Sequence, residues 1–401
     1  MIGCPAEQCV CGQCGNPTRV IGYEESEQLE VEPAKYYVLV TKREKRACTD
    51  CKGSKIVAAP APTRIIEKSL ASDRVVIDTV IRKYCDYLPL YRQSVILDRE
   101  AGVEISRATL DGWVLQVGEM LRPLVRVMGR ELVQGSYLQA DETPVGVQMH
   151  DGRGKNHKAY LWQYGRPRGA TVFDFQLGRD RAGPKQFLEN FHGILQTDAY
   201  QAYNKVGGTG MVHAACWTHA RRGFANVVKL NPGDPVASPI VVKINELFAV
   251  DGEAREQGLS VEARHRLRQQ KAPALLEKIK ADIEAAKPGA LPGGALVGSC
   301  EYALGIWQRL TCFLEYPELE LSTNLAENSM RPIVLGRKNW IHIGSPQAGP
   351  KVTAIMSVIE TCRRIKISAR DYLSAVLPGL ANTRVQCLPA LTPTAWASQR
   401  Q

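Results

Sequence analysis

The spacing of apolar positions changes several times along the chain, and each change marks a different class of element. Over about residues 72–132 apolar side chains recur three and four apart, the period of one helical face, with a break at Gly102. From 136 to 230 the period shortens. Runs at 136–140, 159–164 and 170–175 are β-branched and aromatic and are separated by turn-rich stretches, which predicts three strands of an antiparallel meander. A helix over about 183–191, strands at 193–197 and 211–215, and a helix from Trp217 to about Leu230 follow, so this region is expected to form a mixed α/β sheet. Residues 231–321 carry no strand pattern. There, 243–287 reads as two or three amphipathic helices and 288–298 as a Gly/Pro-rich connector, together an insertion. The chain is then helical and basic to about Leu380, and 381–401 reads as a tail.

Cysteine placement sets the first 60 residues apart. Of twelve cysteines, Cys4, Cys9, Cys11, Cys14, Cys48 and Cys51 lie in the first 51 positions. Cys11-x-x-Cys14 and Cys48-x-x-Cys51 have the paired spacing of a zinc site, and Cys14-Gly15 suits the tight turn of a zinc knuckle. Either Cys4 or Cys9 can replace a ligand in that register. Between the pairs, Tyr36-Tyr37-Val38-Leu39-Val40 reads as strand. Pro60-Ala61-Pro62 is a short stiff linker.

The next segment has the outline of a helix-turn-helix. Ser106 is a good N-cap, and Ile105, Leu110, Trp113 or Val114, and Val117 form an apolar stripe behind it. That arrangement puts Arg107 and Thr109 near a major groove; a helical hairpin that simply packs has the same spacing.

Composition narrows the class. With 401 residues, 44% of them hydrophobic and 23% charged, the chain has enough apolar surface for a sizeable core, which excludes a small stapled peptide and a disordered chain. No run of about 18 apolar residues and no signal-peptide pattern is visible, so a cytosolic compartment and no membrane partner are expected. Lysine and arginine number 51 against 41 acids, a net charge of +10 that favours an anionic partner such as DNA. The excess is regional: +5 in 35–55 and +6 in 321–370.

Two carboxylates follow predicted strands. Asp141 stands in Gln139-Ala140-Asp141-Glu142-Thr143-Pro144 and Asp198 in Gln196-Thr197-Asp198-Ala199-Tyr200, an order expected to bring both to one edge of the sheet, where hard divalent cations find oxygen ligands. Glu327 is the candidate third acid. It lies in the first turns of a helix capped by Ser322, Thr323 or Asn324, with Asn324 and Arg331 flanking it on the same face. Its alternative reading is the partner of a capping box.

These residues, with Ala215-Cys216-Trp217-Thr218-His219-Ala220-Arg221-Arg222 and Gly336-Arg337-Lys338-Asn339-Trp340, resemble the transposases of the IS66 family of bacterial insertion sequences, from the cysteine module to about residue 380. The resemblance implies an RNase H-like catalytic domain of DDE type, with Asp141, Asp198 and Glu327 as its triad and a helical insertion between the last two. It assigns Cys11, Cys14, Cys48 and Cys51 as zinc ligands. The implied chemistry is phosphoryl transfer on DNA with Mg²⁺ (or Mn²⁺), cleaving and joining strands at element ends without a covalent enzyme intermediate. Cys216 and His219 are expected to shape the edge of that site rather than to hold metal. Arg221, Arg222, Arg331, Arg337 and Lys338 are candidate contacts to the DNA backbone.

The implied organisation is a zinc module (1–60), a helical DNA-binding segment (61–133), a catalytic domain (134–380) with an insertion at about 231–321, and a tail. The implied setting is the bacterial nucleoid, with DNA, further copies of the chain and companion small proteins of the element as partners. Family members carry a zipper-like helix ahead of the zinc module; here Met1 is ten residues ahead of Cys11, so that helix is expected to be missing. Two alternative functions share the motifs: a non-cleaving DNA-binding remnant, and a related RNase H-like nuclease.

Overall fold

The computed structural model describes residues 2–31, 34–47, 55–152, 154–289 and 291–400. It forms two units, Met1–Val40 and Thr41–Gln401.

In the first unit a single turn at Ala6–Gln8 leads to an antiparallel bridge between Val10 and Pro17. The chain reverses between them through Gly15, whose φ of +74° is the left-handed backbone that glycine adopts at little steric cost, and whose N–H bonds the Cys11 carbonyl at 2.9 Å. The turn expected at Cys14-Gly15 is thus present. The strand expected at 36–40 is not: Tyr37, Val38, Leu39 and Val40 are each at least 66% exposed, with no ladder to complete a sheet.

The second unit begins with a two-residue ladder, β1 (Lys45–Arg46) and β2 (Val57–Ala58). Cys48 and Cys51 lie outside the described residues. Helices α1 (Asp73–Tyr84), α2 (Leu90–Ala101) and α3 (Arg107–Val133) follow. Gly102, at φ +61°, ends α2, and the Ser106 hydroxyl caps α3 by accepting the Thr109 N–H at 3.1 Å. This is the expected helix-turn-helix outline, but α3 is 27 residues long and buries Leu110, Val114, Val117, Leu121 and Leu124 in the body of the molecule.

The sheet consists of β3 (Tyr137–Val147), β4 (His157–Gly165), β5 (Thr171–Gln176), β6 (Ile194–Thr197), β7 (Val212–Ala215) and a late two-residue strand, β8 (His342–Ile343). The order is β5-β4-β3-β6-β7, with β8 beside the far end of β3. Strands β3, β4 and β5 form the expected antiparallel meander; β6 and β7 run parallel to β3. Helix α4 (Ala182–Leu188) bridges β5 to β6, and α5 (Trp217–Leu230) follows β7. A mixed sheet flanked by helices is the RNase H-like architecture expected.

The block after α5 is helical, as expected: α6 (Ala237–Glu256), α7 (Val261–Gly289), α8 (Ala295–Gly305) and α9 (Trp307–Thr311). It shares one core with the sheet, in which Ala214, Trp217 and Phe224 pack with Ile240, Ile244, Leu247, Ile279, Ile283 and Phe313. The chain returns through an irregular strap at 317–323 and continues as α10 (Asn324–Trp340), α11 (Gly349–Arg364) and α12 (Ala369–Leu380). Helix α11 packs between α3 and the outer strand β5; at Gly118 of α3 a Cβ would sit 2.6 Å from the Lys351 carbonyl oxygen. Ser357 and Thr361 of α11 accept the Phe173 and Thr171 N–H groups of β5, at 2.9 and 3.1 Å. Residues beyond 380, read from sequence as a tail, fold back instead. Trp396 of α13 (Pro393–Ser398) meets Tyr372 edge-on, and the Tyr372 hydroxyl donates to the Leu391 carbonyl. No helix among the described residues is long and apolar enough to cross a membrane.

Candidate active site

Strand register brings Asp141 and Asp198 together. The parallel pairing matches Gln139 with Gln196, 57 residues later, and the same offset relates Asp141 to Asp198. Side chains two apart on a strand share a face, so both aspartates lie on the face that carries the two glutamines. One expectation is corrected. Asp141 lies inside β3 rather than after it, because β4 pairs with β3 as far as Val147 while the pairing with β6 ends at Gln139. Asp198 does follow its strand. Its carboxylate accepts the Tyr200 N–H at 2.8 Å and its carbonyl accepts the Tyr302 hydroxyl at 2.6 Å, while Ala199 is held at φ +65°, a strained value for a residue with a Cβ.

The carboxyl groups influence one another. Asp141 is pushed up to about 7, chiefly by burial, then by the adjacent Glu142 charge and by Asp198 and Glu327, against the opposing Glu142 N–H bond. Glu142 points to the other face of β3. It is almost fully buried, binds Arg179 at 2.7 Å and accepts the Tyr203 hydroxyl at 3.0 Å; burial nevertheless leaves it above the ordinary carboxylate range.

Glu327 comes from the first turn of α10, whose N-cap is Thr323. Two side chains of α5 reach its Oε1, His219 Nε2 at 3.6 Å and an Arg222 guanidinium nitrogen at 3.4 Å. Cys216, His219 and Arg222 recur every third residue along this start of α5. The buried Cys216 sulfur accepts the Thr323 N–H at 3.3 Å. Burial raises the thiol, but His219 and Thr323 outweigh it and hold it below its usual value; burial lowers His219, and the Cys216 sulfur outweighs that and holds it above. Both residues therefore touch the Glu327 helix, and no second pair of ligands accompanies them among the described residues.

The donor set of three carboxylates suits a hard divalent cation, and burial, with the neighbouring acids, holds Asp141 above the ordinary carboxylate range. Among the described residues no three His, Cys, Asp or Glu side chains converge closely enough to hold an ion. Glu327 turns toward His219 and Arg222.

The other residues singled out from sequence have different surroundings. Arg107 and Thr109 are exposed at the start of α3, with the Thr109 hydroxyl bonded to Ser106. Asn324, Arg331 and Lys338 are exposed along α10. Arg337 is engaged within the protein, donating to Thr143 Oγ1 at 3.0 Å and to the Pro144 carbonyl, and Arg221 donates to Asn245 at 2.6 Å. Sequence reading passed over Glu142, Arg179 and Tyr203, and also Gln139 and Gln196. A signal for the last two was visible, since each aspartate is preceded two positions earlier by glutamine.

In the first unit, the Gln13 and Cys14 N–H groups aim at the Cys11 sulfur and, with the Cys14 thiol, hold Cys11 below its usual range. A stabilised thiolate is the form that binds zinc. Cys9 turns toward the Cys4 and Pro5 carbonyls instead.

Comparison with known proteins identifies the family. The family model described as "Transposase IS66 family" matches residues 68–351, and "zinc-finger binding domain of transposase IS66" matches residues 8–52. The chain is 32% identical over 379 residues to "Uncharacterized protein y4qI" of Sinorhizobium fredii (strain NBRC 101917 / NGR234), covering 90% of this chain and 69% of that protein. It is 29% identical over 411 residues to "Uncharacterized protein y4jD" of the same organism, covering 98% and 79%. With a zinc-finger module in front and a mixed sheet carrying the paired aspartates behind it, the chain belongs to the IS66 transposase family.

Proposed function

We propose that the chain cleaves and joins DNA at the ends of its own insertion sequence, with Asp141, Asp198 and Glu327 as the metal-holding triad. The observation that carries this reading is that Asp141 and Asp198 each stand two residues past one of the paired glutamines Gln139 and Gln196, with Asp198 and Glu327 both acting on Asp141. Mg²⁺ or Mn²⁺ held there would supply activation of the attacking oxygen and charge neutralisation at the phosphate. The chain's own contribution is positional. Asp141 offers its oxygens from β3, Asp198 from the end of the adjacent β6, and Glu327 approaches from α10. Arg222, half exposed beside Glu327, is with Arg331 and Lys338 assigned to the DNA backbone. The division into a zinc module at 1–60, with Cys11, Cys14, Cys48 and Cys51 as ligands, a helical DNA-binding segment at 61–133 with Arg107 and Thr109 at the groove, and a catalytic domain at 134–380 belongs to the same proposal.

The experiment is metal-dependent nicking and strand transfer on duplexes carrying the element's ends. Asp141→Asn, Asp198→Asn and Glu327→Gln are each expected to lower the rate at least about 1000-fold with little change in DNA affinity. Salt-sensitive binding without cleavage by the unmodified protein would support the non-cleaving binder instead, the reading favoured by the lack of convergence of the three carboxylates.

A further inference from the structure

The strap at 317–323 is neither helix nor strand, so its peptide groups need partners from outside it. Most find them in three places. On the α7 side, Arg264 donates to the Pro317 carbonyl at 3.0 Å and Arg268 to the Leu319 carbonyl at 2.7 Å. At the start of α5, the Trp217 N–H bonds the Leu321 carbonyl at 2.9 Å and Cys216 takes the Thr323 N–H. On the sheet side, the Glu320 N–H donates to the Tyr137 hydroxyl at 3.2 Å, its carbonyl accepts from Gln196 Nε2 at 2.6 Å, and the Ser322 carbonyl accepts from Gln139 Nε2 at 2.9 Å.

The two glutamines are buried and bonded to each other, Gln139 Nε2 to Gln196 Oε1 at 2.9 Å. Gln196 uses its full capacity: its amide group donates to the Glu320 and Ala215 carbonyls, and its oxygen accepts from Gln139 and from the Tyr137 hydroxyl. A buried amide with every site satisfied fixes geometry in a way an apolar residue of the same size does not. Each glutamine stands two residues before an aspartate on the same face, and the strap they hold runs directly into the N-cap of the helix that carries Glu327.

We propose that Gln139 and Gln196, with the Tyr137 hydroxyl, are positioning residues that set Glu327 against the Asp141–Asp198 pair. One hydrogen-bonded group thereby ties the start of the Glu327 helix to both strands that lead into the aspartates, although these elements are separated by an insertion. The proposal rests on the triad reading above.

The test is Mn²⁺ binding to the whole protein without DNA, read by electron paramagnetic resonance, with circular dichroism as a check on folding. Asp198→Asn is the control on the triad itself; if it binds Mn²⁺ as the unmodified protein does, the triad reading falls on its own account. With that control behaving, Gln196→Leu is expected to weaken Mn²⁺ binding about 10-fold or more, and Tyr137→Phe, which removes one hydroxyl and carries the test if Gln196→Leu does not fold, several-fold. Leu195→Ala destabilises the same strand from its opposite face, away from the network, and is expected to leave Mn²⁺ affinity unchanged. Unchanged affinity in Gln196→Leu and Tyr137→Phe would overturn the proposal, as would an equal loss in Leu195→Ala.

Discussion

The two units of this chain order their chemistry by different means. In Thr41–Gln401 the charged groups of the candidate site are fixed by strand register, by a shared apolar core and by a buried polar network around the strap. In Met1–Val40 the side chains are almost all exposed, and order rests on one bridge, one tight turn and the N–H groups around Cys11. A segment that buries so little apolar surface lacks a core of its own and depends on a staple such as zinc, whereas the larger unit is stable through packing. The larger unit thus owes its order to packing, and the smaller to a few local bonds around Cys11.

This contrast can be broken at several points. The largest stability effect is expected at Arg268, which is 1% exposed and forms two bonds to the buried Asp251 at 2.7 and 2.8 Å. Arg268→Leu leaves the buried Asp251 carboxylate facing the more distant Arg255 guanidinium at 3.8 Å and frees the Leu319 carbonyl, which should cost about 3 kcal/mol in urea unfolding. A loss below about 1 kcal/mol would mean that the insertion contributes little to the larger unit.

A smaller effect is expected from Asp141 in the metal-free protein. Its folded-state value of about 7 lies above the ordinary 3.8, so between about pH 4 and 7 the folded state binds more protons than the unfolded state and stability falls as pH rises. Asp141→Asn removes this dependence. It should stabilise the metal-free protein at pH 8 by on the order of 2 kcal/mol and leave it unchanged near pH 4, as measured by unfolding at the two pH values. Equal effects at both would show that charge burial at Asp141 is not the cause.

The smallest effect on the main unfolding transition is expected from Cys11→Ser or zinc chelation, under about 1 kcal/mol, while amide exchange over the first 60 residues accelerates strongly. A large shift of the main transition would erase the distinction between the two units.

Much of the larger unit was legible in its apolar pattern. The three meander strands and α5 follow β-branched, aromatic and three-four spacing closely, because burial against neighbours is what that spacing encodes. Strand ends were less legible. Asp141 read as strand-terminal, yet β3 continues past Thr143-Pro144 because β4 is there to pair with it, a fact held in another part of the chain. The run at 36–40 has a strand's composition and no pairing partner among the described residues, so composition alone misled. The two-residue β8 is too short to leave a pattern, and Arg337 looked like a DNA contact until its bonds to Thr143 and Pro144 were seen. Of the candidate site, the three acids were named from sequence; the repeated glutamine ahead of each aspartate was visible, but its bonds to a strap more than 120 residues away were not.

The hydroxyls of Ser357 and Thr361 carry one further consequence. An outer strand normally offers a row of free amide groups to any passing extended chain. Here Thr171 and Phe173 have already given their N–H groups to a helix of their own chain. A second extended chain is therefore discouraged from adding to the sheet along this edge.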